Sequence, residues 1–189
     1  MRRLSFRSSK DLLPHLDGFL TGLPELSGAP IRIEAHPQLT ASRGRLLSGT
    51  PECGIAVHAA SFIPSRRIIM EASLLRRRTL LRFILIHEVF HFVWVRLGNP
   101  KRAEFSRLLE QELAAGARGE LGESAQLKKA TRPLPQTRAW RDYVCESFCD
   151  TAAFVYLGLN RNLAGGLAKR WQARRRRWFE DTFAAGCRC

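Results

Sequence analysis

The strongest constraint on the fold is an apolar stretch at residues 80–95 that carries, besides Arg82 near its start, three polar side chains. His87, Glu88 and His91 lie within it, and nearly all their neighbours are Leu, Ile, Val, Phe or Trp. An apolar segment of this length without Gly or Pro predicts a helix that is buried nearly all round. Buried His and Glu side chains destabilise a fold unless they have partners. Any fold of this chain must therefore place partners around these three residues.

The spacing of the two histidines suggests a metal ion as their partner. On a helix, His87 and His91 lie one turn apart on the same face. Two imidazoles so placed can bind one Zn²⁺ at about 2.0–2.1 Å, and Glu88 is too far round the helix to bind it but can reach a nearby water. The alternative is a pair of core histidines hydrogen-bonded to the backbone, with Glu88 paired to an arginine. We expect one zinc ion per chain.

The pentapeptide at residues 87–91 resembles the H-E-x-x-H motif of the zincin metallopeptidases. The resemblance implies a zinc-dependent hydrolase that cleaves peptide bonds in a peptide or protein substrate. His87 and His91 would be metal ligands. Glu88 would be the catalytic general base, which takes a proton from water and delivers it to the leaving amine.

A catalytic zinc site needs a third protein ligand, and the sequence offers several candidates. Metzincins place a histidine at the position of Leu97, and no histidine follows His91 in this chain. The main candidate is Glu146, in an otherwise apolar helix and one turn before Asp150. Zinc on Glu146 would relieve the repulsion between the two carboxylates, and Asp150 could then accept the outer N–H of a ligand histidine. The alternatives are Glu120, Glu123 and Cys149.

The E-x-x-x-D spacing of Glu146 and Asp150 resembles the second metal helix of the gluzincin branch of the zincins. The resemblance implies an endopeptidase whose tetrahedral intermediate needs a hydrogen-bond donor for its oxyanion. Tyr143, three residues before Glu146, is the preferred donor, and a simple packing role is the alternative. The other candidate donors are Tyr156, His58 and the arginines.

The remaining pattern predicts a single domain of the α+β class. The chain has 189 residues, of which 45% are hydrophobic, and this suits one core. Strands are predicted at residues 31–35, 55–62 and 67–72, and one of the last two could pair with an extended substrate. The resemblance implies a zincin-like, small mixed or antiparallel sheet packed on the buried H-E-x-x-H helix, followed by a mainly helical C-terminal half. The domain divides into residues 1–100 with the strands and metal helix, 101–160 with helices and the Glu ligand, and a basic tail at 161–189.

Glycine and proline mark the expected ends of the helices. Gly98 and Pro100 should end the long apolar helix that begins near Leu74. Residues 116–138 contain three Gly and two Pro, and are the best candidate for a mobile segment over the site. Residues 40–53 are expected to form a loop. Further helices are predicted at residues 11–21, 103–115 and 139–157 and in the tail at 161–183.

The formal net charge of +14 favours anionic partners such as nucleic acid. The run Arg174, Arg175, Arg176 and Arg177 is the predicted nucleic-acid contact, and a solvated basic face is the alternative. The second hypothesis for the function is therefore a basic nucleic-acid- or protein-binding module on a zincin scaffold with a structural or vestigial metal. Glu88 favours the enzyme, because a structural metal site needs no general base.

The sequence also carries indications of location. No segment reaches the roughly 18–20 uninterrupted apolar residues of a membrane span, and the first residues lack the apolar run of a signal peptide. Five cysteines, an odd number, fit a reducing compartment. We therefore expect a cytoplasmic protein without a transmembrane segment. Cys187 and Cys189 are expected in a frayed terminus rather than in a metal site or a disulfide.

Overall fold

A computed structural model describes residues 3–10, 12–42, 45–49, 54–158 and 166–189 of the chain. These residues form a mixed α+β fold, as the sequence predicts, with short strands first and helices later. The strands are β1 (Phe6–Arg7), β2 (Leu26–Ser27), β3 (Ile31–His36), β4 (Leu39–Ser42), β5 (Arg45–Ser48), β6 (Ile55–Ala56), β7 (Ala59–Phe62), β8 (Arg67–Glu71) and β9 (Cys187–Arg188). The helices are α1 (Leu13–Leu16), α2 (Arg78–Arg96), α3 (Asn99–Ala114), α4 (Glu123–Ala130), α5 (Arg138–Tyr156) and α6 (Lys169–Phe183), with a 3-10 turn at Ala72–Arg76.

The central sheet has four strands in the order β1-β3-β8-β7. The first three run parallel, and β7 is antiparallel to β8 at one edge. Ile31 and Ile33 of β3 are buried and Arg32 between them is exposed, because side chains alternate between the two faces of a strand. One face of the sheet therefore packs into the core, and the other faces outward. The remaining strands form a β5-β4-β6 sheet and a β2-β9 pair.

The two long helices α2 and α5 pack against each other and form the centre of the molecule. Helix α2 is buried at most positions from Leu81 to Val93. Helix α5 begins where the Thr137 hydroxyl accepts a hydrogen bond from Trp140 N at 3.1 Å, a typical N-cap. Because the polar residues of the predicted metal site lie on these two helices, their packing determines how those residues meet.

Helix α6 closes the core behind this helix pair. Its Phe179 and Phe183 are buried against Phe90 of α2 and Phe148 of α5, with ring centroids 5.0 to 6.3 Å apart. Aromatic contacts of this kind add to the stability gained from burial alone. The tail is therefore part of the fold, at least from residue 166 onward.

Several sequence predictions need correction in detail. The predicted strand at 55–62 is two strands, β6 and β7, and the predicted loop at 40–53 contains the β4 and β5 strands. Between residues 11 and 21 the only described helix is the short α1, and residues 116–138 contain the helix α4 packed on α5. Residues 11, 43–44, 50–53 and 161–165 of the predicted segments lie outside the described residues.

The prediction of a frayed C-terminus is wrong. Strand β9 pairs in parallel with β2, and Cys189 is buried. The backbone oxygen of Cys189 also accepts a hydrogen bond from the Arg66 guanidinium at 3.1 Å. Burial raises the pKa of the Cys187 thiol to about 12 and that of Cys189 to about 11, so both are protonated thiols.

Among the described residues, no helix has the length and apolar character needed to cross a bilayer. Even α2, the most apolar of the long helices, carries charged or ionisable residues along its length.

Candidate metal site and catalytic cleft

The two histidines of α2 lie side by side and point their Nε2 atoms at each other. His87 Nε2 and His91 Nε2 are 3.1 Å apart, as the i, i+4 spacing on one helix face allows. His87 is buried and His91 is partly buried. The structure thus brings the side chains of both predicted ligands together at the edge of the core.

The outer nitrogen of each imidazole has its own partner on α5. His87 Nδ1 lies 2.8 Å from Asp150 Oδ1, and His91 Nδ1 lies 3.5 Å from Cys145 Sγ. A carboxylate can only accept, so His87 Nδ1 carries the hydrogen and Nε2 of the neutral ring carries a lone pair. A hydrogen bond from Cys149 lowers the pKa of Cys145 to about 6, against the effect of burial, so Cys145 can accept from His91 in the same way.

Glu146 of α5 completes a group of three. Its Oε2 atom is 3.2 Å from His87 Nε2 and 4.0 Å from His91 Nε2. Burial alone would raise the pKa of Glu146, but the two imidazoles outweigh burial and hold the pKa at about 2. Glu146 is therefore ionised and offers a third acceptor atom beside the two imidazole lone pairs.

Three acceptor atoms facing one another repel unless a cation lies between them. The pKa of His87 illustrates this: burial lowers it, but Asp150 and Glu146 raise it well above its usual value. A proton can relieve one pair of acceptors, whereas one metal ion can bind all three atoms. Tetrahedral zinc with bonds of about 2.0–2.1 Å sets its ligand atoms about 3.4 Å apart, close to the separations found here. The donor set of two imidazoles and a carboxylate fits a catalytic zinc.

Cys149 is the nearest rival for the third position. Its Sγ and one nitrogen of each histidine lie within 4.8 Å of one another. Burial raises the pKa of this thiol well above its usual value, and only a thiolate binds zinc. Glu146 is already ionised, and its Oε2 atom lies 3.2 Å from His87 Nε2, so we favour Glu146 as the third ligand.

Glu88 lies next to the three acceptor atoms and is held by the edge strand. Ser61 Oγ of β7 is 2.6 Å from Glu88 Oε2 and 2.9 Å from the Glu88 backbone oxygen. The hydroxyl has one hydrogen, and the short contact indicates that it donates to the carboxylate. Ser61 thus fixes the carboxylate at the wall of the cleft, a contact that the sequence did not predict.

A cavity of about 310 Å³ opens in front of these residues. Its floor is polar, with His87, Glu88, His91 and Glu146, and one wall is the β7 strand. The other lining residues are Ala59, Ala60, Ser61, Ile63, Trp94, Val95, Ser124 and Cys145.

Tyr143 does not reach this cavity, contrary to the sequence prediction of a role in oxyanion binding. Its hydroxyl donates to Glu120 Oε1 at 2.5 Å, in a fully buried position. Burial and the Glu120 carboxylate raise the pKa of Tyr143 well above its usual value. Tyr143 therefore belongs to a polar cluster behind α5. Among the other candidates, His58 lies 3.4 Å from Glu71 at the surface, and Tyr156 stacks on Phe90.

The alternative ligands Glu120 and Glu123 are also elsewhere. Glu120 is fully buried and accepts hydrogen bonds from Arg175 and Lys129. Glu123 is exposed at the first residue of α4. Neither carboxylate lines the cavity in front of the histidines.

The arginine run of α6 is not a uniform basic surface. Arg175 is fully buried and binds Glu112, Glu120 and Ser147, so it cannot contact nucleic acid. Arg174 is bonded to Gln111, and Arg176 lies over the Phe154 ring at 5.7 Å. Of the four predicted contacts, Arg177 alone is exposed, and Arg174 and Arg176 are partly buried.

Comparisons with known proteins identify no relative of this chain. No known protein family, curated protein or solved structure matches it. The function of the cleft must therefore be inferred from its own atoms.

Proposed function

We propose that this protein is a zinc-dependent peptidase of the gluzincin type. The observation that carries the proposal is the convergence of His87 Nε2, His91 Nε2 and Glu146 Oε2 beside the Glu88 carboxylate. Three protein ligands leave one position open, as a catalytic zinc site requires. A structural site would need no carboxylate such as Glu88 in the cleft, and this favours an enzyme over a binding module with a vestigial metal.

Each residue of the cleft would then have a chemical task. A zinc ion held by the three ligands would supply a Lewis acid that makes water more acidic and polarises a carbonyl group. Glu88 takes a proton from water and returns it to the leaving amine. Ser61 holds one Glu88 oxygen and thereby orients the other toward the cavity. Ser124, which lines the cavity, replaces Tyr143 as our candidate donor to the oxyanion.

The position of strand β7 favours a peptide as the substrate. It lies at the edge of the sheet, and Ala59, Ala60 and Ser61 line the cavity. An extended peptide can add to such an edge through backbone hydrogen bonds. Strand β8, the other strand that the sequence suggested for this role, is paired on both sides by β3 and β7 and is not available.

Metal content and a Glu88→Gln variant test the proposal together. We expect about one zinc per chain by elemental analysis in both wild type and Glu88→Gln, because Glu88 is not a ligand. Hydrolysis of casein or a peptide library should fall at least about hundredfold in Glu88→Gln, because an amide cannot accept the proton. Glu146→Gln should lose zinc, whereas the control Glu123→Gln should keep both zinc and activity.

Two results would contradict the proposal. One is wild-type protein that neither contains zinc nor gains thermal stability when zinc is added. The other is a Glu88→Gln variant that hydrolyses peptides as fast as wild type.

A further inference from the structure

The outward face of the central sheet carries a row of arginines that the metal site does not use. Arg7 of β1 is paired in register with Arg32 of β3, and Arg32 is paired with Arg67 of β8. On the far side of Arg67, Phe62 of β7 is its cross-strand partner. Cross-strand partners share a face of the sheet, so these four side chains lie on one side of it. We refer to Arg7, Arg32 and Arg67 as the arginine row.

The arginine row points away from the core. Arg32 is exposed between the buried Ile31 and Ile33, and Arg7 is exposed as well. The row lines a recess of about 380 Å³, which lies in the size range of small-molecule sites. The rest of its lining is Pro30, Ser65 and Arg66, so the recess has no acidic side chain in its wall.

The positive charge of the row is poorly compensated by the protein. Adjacent strands lie about 4.8 Å apart, so the three guanidinium groups are close enough to repel one another. Arg67 has a loose ion pair, 3.8 Å from Glu34. Among the described residues, the side chains of Arg7 and Arg32 have neither an ion pair nor a hydrogen bond, and bound anions would relieve their repulsion.

Arg66 builds the wall of the recess instead of adding free charge. Its guanidinium donates to the backbone oxygens of Ala29, Pro30 and Cys189. These bonds join the loop before β3 to the C-terminal strand. The recess is therefore a built feature, held by hydrogen bonds to backbone, with the arginine row along its floor.

Phe62 and Arg67 form a flat surface at one end of the row. The Arg67 guanidinium carbon lies 4.9 Å from the centre of the Phe62 ring, a cation–π contact. Unpaired bases stack on aromatic rings and on guanidinium planes, and phosphates bind arginines. The row thus combines the two interactions that single-stranded nucleic acid uses.

We propose that this face binds single-stranded nucleic acid, with phosphates on the arginine row and an unpaired base at Phe62 and Arg67. A recess takes in an unpaired nucleotide, whereas a duplex keeps its bases stacked inside. The net charge of +14 would raise the local concentration of any polyanion. The positions of the three arginines would then determine where the nucleic-acid strand lies on the protein. The site is independent of the metal centre, so it can be tested whether or not the chain is a peptidase.

Fluorescence anisotropy with mixed-sequence single-stranded DNA and RNA tests this proposal on the full chain. The triple variant Arg7→Gln, Arg32→Gln, Arg67→Gln should bind at least about tenfold more weakly than wild type at low salt. The slope of log K against log salt should fall by about 2, since each phosphate contact on a single strand contributes about 0.7. The matched control replaces the exposed Arg76, Arg77 and Arg78 by Gln, which removes the same charge, and should change affinity less than about threefold.

Two single variants complete the test, one in case the triple variant does not fold and one for base stacking. If the triple variant loses its native circular dichroism, Arg32→Gln alone should still lower the salt slope by about 0.7, because this exposed side chain has no partner to lose. Phe62→Leu should weaken binding without changing the slope. The proposal would be overturned if the triple variant and its control lost the same binding affinity, or if wild type did not bind single strands at low salt. It would also be overturned if wild type bound duplex more tightly than single strands, or bound only to anionic phosphatidylserine vesicles.

Discussion

Asp150 connects His87, one of the proposed metal ligands, to a neighbouring helix through its two carboxylate oxygens. Oδ1 accepts from His87 Nδ1 at 2.8 Å, and Oδ2 accepts from Ala125 N at 2.9 Å, in the first turn of α4. A carboxylate is favourable there, because the first N–H groups of a helix lack partners within it. Gly122, just before α4, lies against this carboxylate, and a Cβ at Gly122 would be 2.2 Å from Asp150 Cγ. Position 122 must therefore be glycine, because any side chain there would collide with the Asp150 carboxylate.

The substitution Gly122→Ala should weaken zinc binding about tenfold or more. The added methyl group displaces Asp150, and His87 then loses the partner that orients it. A competition titration with a zinc chelator measures this affinity. Gly98→Ala is the control, because its Cβ would meet Pro100 at an ordinary 3.7 Å and its φ of −58° suits any residue. Equal zinc affinity in the two variants would show that Asp150 does not orient His87.

Sequence reasoning could identify the polar residues of the site, but could not place the groups that support them. His87, Glu88, His91, Glu146 and Asp150 are all spaced at one helical turn or less within their helices, so local geometry predicts their grouping. Ser61 and Gly122 reach the site only through tertiary packing, and no local pattern marks them. The hydroxyl of Ser61 in a predicted strand ahead of α2 was the one available signal.

Helices α2 and α5 bring the two halves of the site together, and aromatic packing behind the site fixes their separation. Phe148, two residues after Glu146 on α5, is fully buried against Phe90 of α2, Phe105 of α3 and Phe179 of α6. A change at Phe148 should therefore alter both the stability of the core and the position of Glu146 relative to the histidines.

The substitution Phe148→Ala should lower the free energy of unfolding by about 3–5 kcal/mol, the usual cost of a large cavity in a core. Zinc affinity should fall as well, because α5 can shift toward the cavity. Urea titration followed by circular dichroism gives the stability, and a chelator competition gives the affinity. Leu127→Ala on α4 is the control, since Leu127 is 63% exposed and its loss should cost less than about 0.5 kcal/mol.

Long helices were predictable from the sequence, whereas short strands were not. The predicted helices at 74–97 and 139–157 correspond to α2 with its preceding 3-10 turn and to α5. Strands β1, β2 and β9 have two residues each, too few to show a period of two. Tyr143 shows a finer limit: positions i and i+3 differ by about 60° around a helix, enough to turn Tyr143 away from the face of Glu146.

On the scale of the whole molecule, one buried arginine joins three helices. Arg175 of α6 contacts Glu112 of α3 at 2.7 Å, Glu120 at 2.6 Å and Ser147 of α5 at 2.9 Å. Burial raises the pKa of Glu112, whereas Arg175 outweighs burial at Glu120 and lowers its pKa. Without the guanidinium, two buried carboxylates would be left close together behind α5.

The substitution Arg175→Leu should destabilise the metal-free protein by about 3–5 kcal/mol at neutral pH, the usual result of leaving buried charges unpaired. The exposed Arg177→Leu is the control and should cost less than about 0.5 kcal/mol. Thermal or urea unfolding at neutral pH measures both. A loss in Arg175→Leu no larger than in Arg177→Leu would mean that the carboxylates do not depend on this arginine.

The loss in Arg175→Leu should also shrink as the pH falls toward about 5. Removal of the guanidinium raises the folded-state pKa of Glu112 and Glu120, so their protonated forms fold better. A raised carboxyl pKa adds stability below the unfolded-state pKa, and this stability is lost as pH rises through the folded-state pKa. In wild type the pKa of Glu120 is lowered, so the stability that Glu120 contributes has the opposite pH dependence and is lost as the pH falls. A loss in the variant that is constant between pH 5 and 7 would contradict this account.

The same arginine also bears on how the molecule folds, because Glu112 and Glu120 are paired only when α6 is in place. Glu112 and Glu120 precede α6 in the chain, and burying their two charges before Arg175 arrives would cost several kcal/mol. Contacts between segments about 60 residues apart also form slowly, because closing such a loop costs entropy first. An intermediate with α3 packed on α5 but α6 detached should therefore be scarcely populated, and helices α2, α5 and α6 should fold as one cooperative unit.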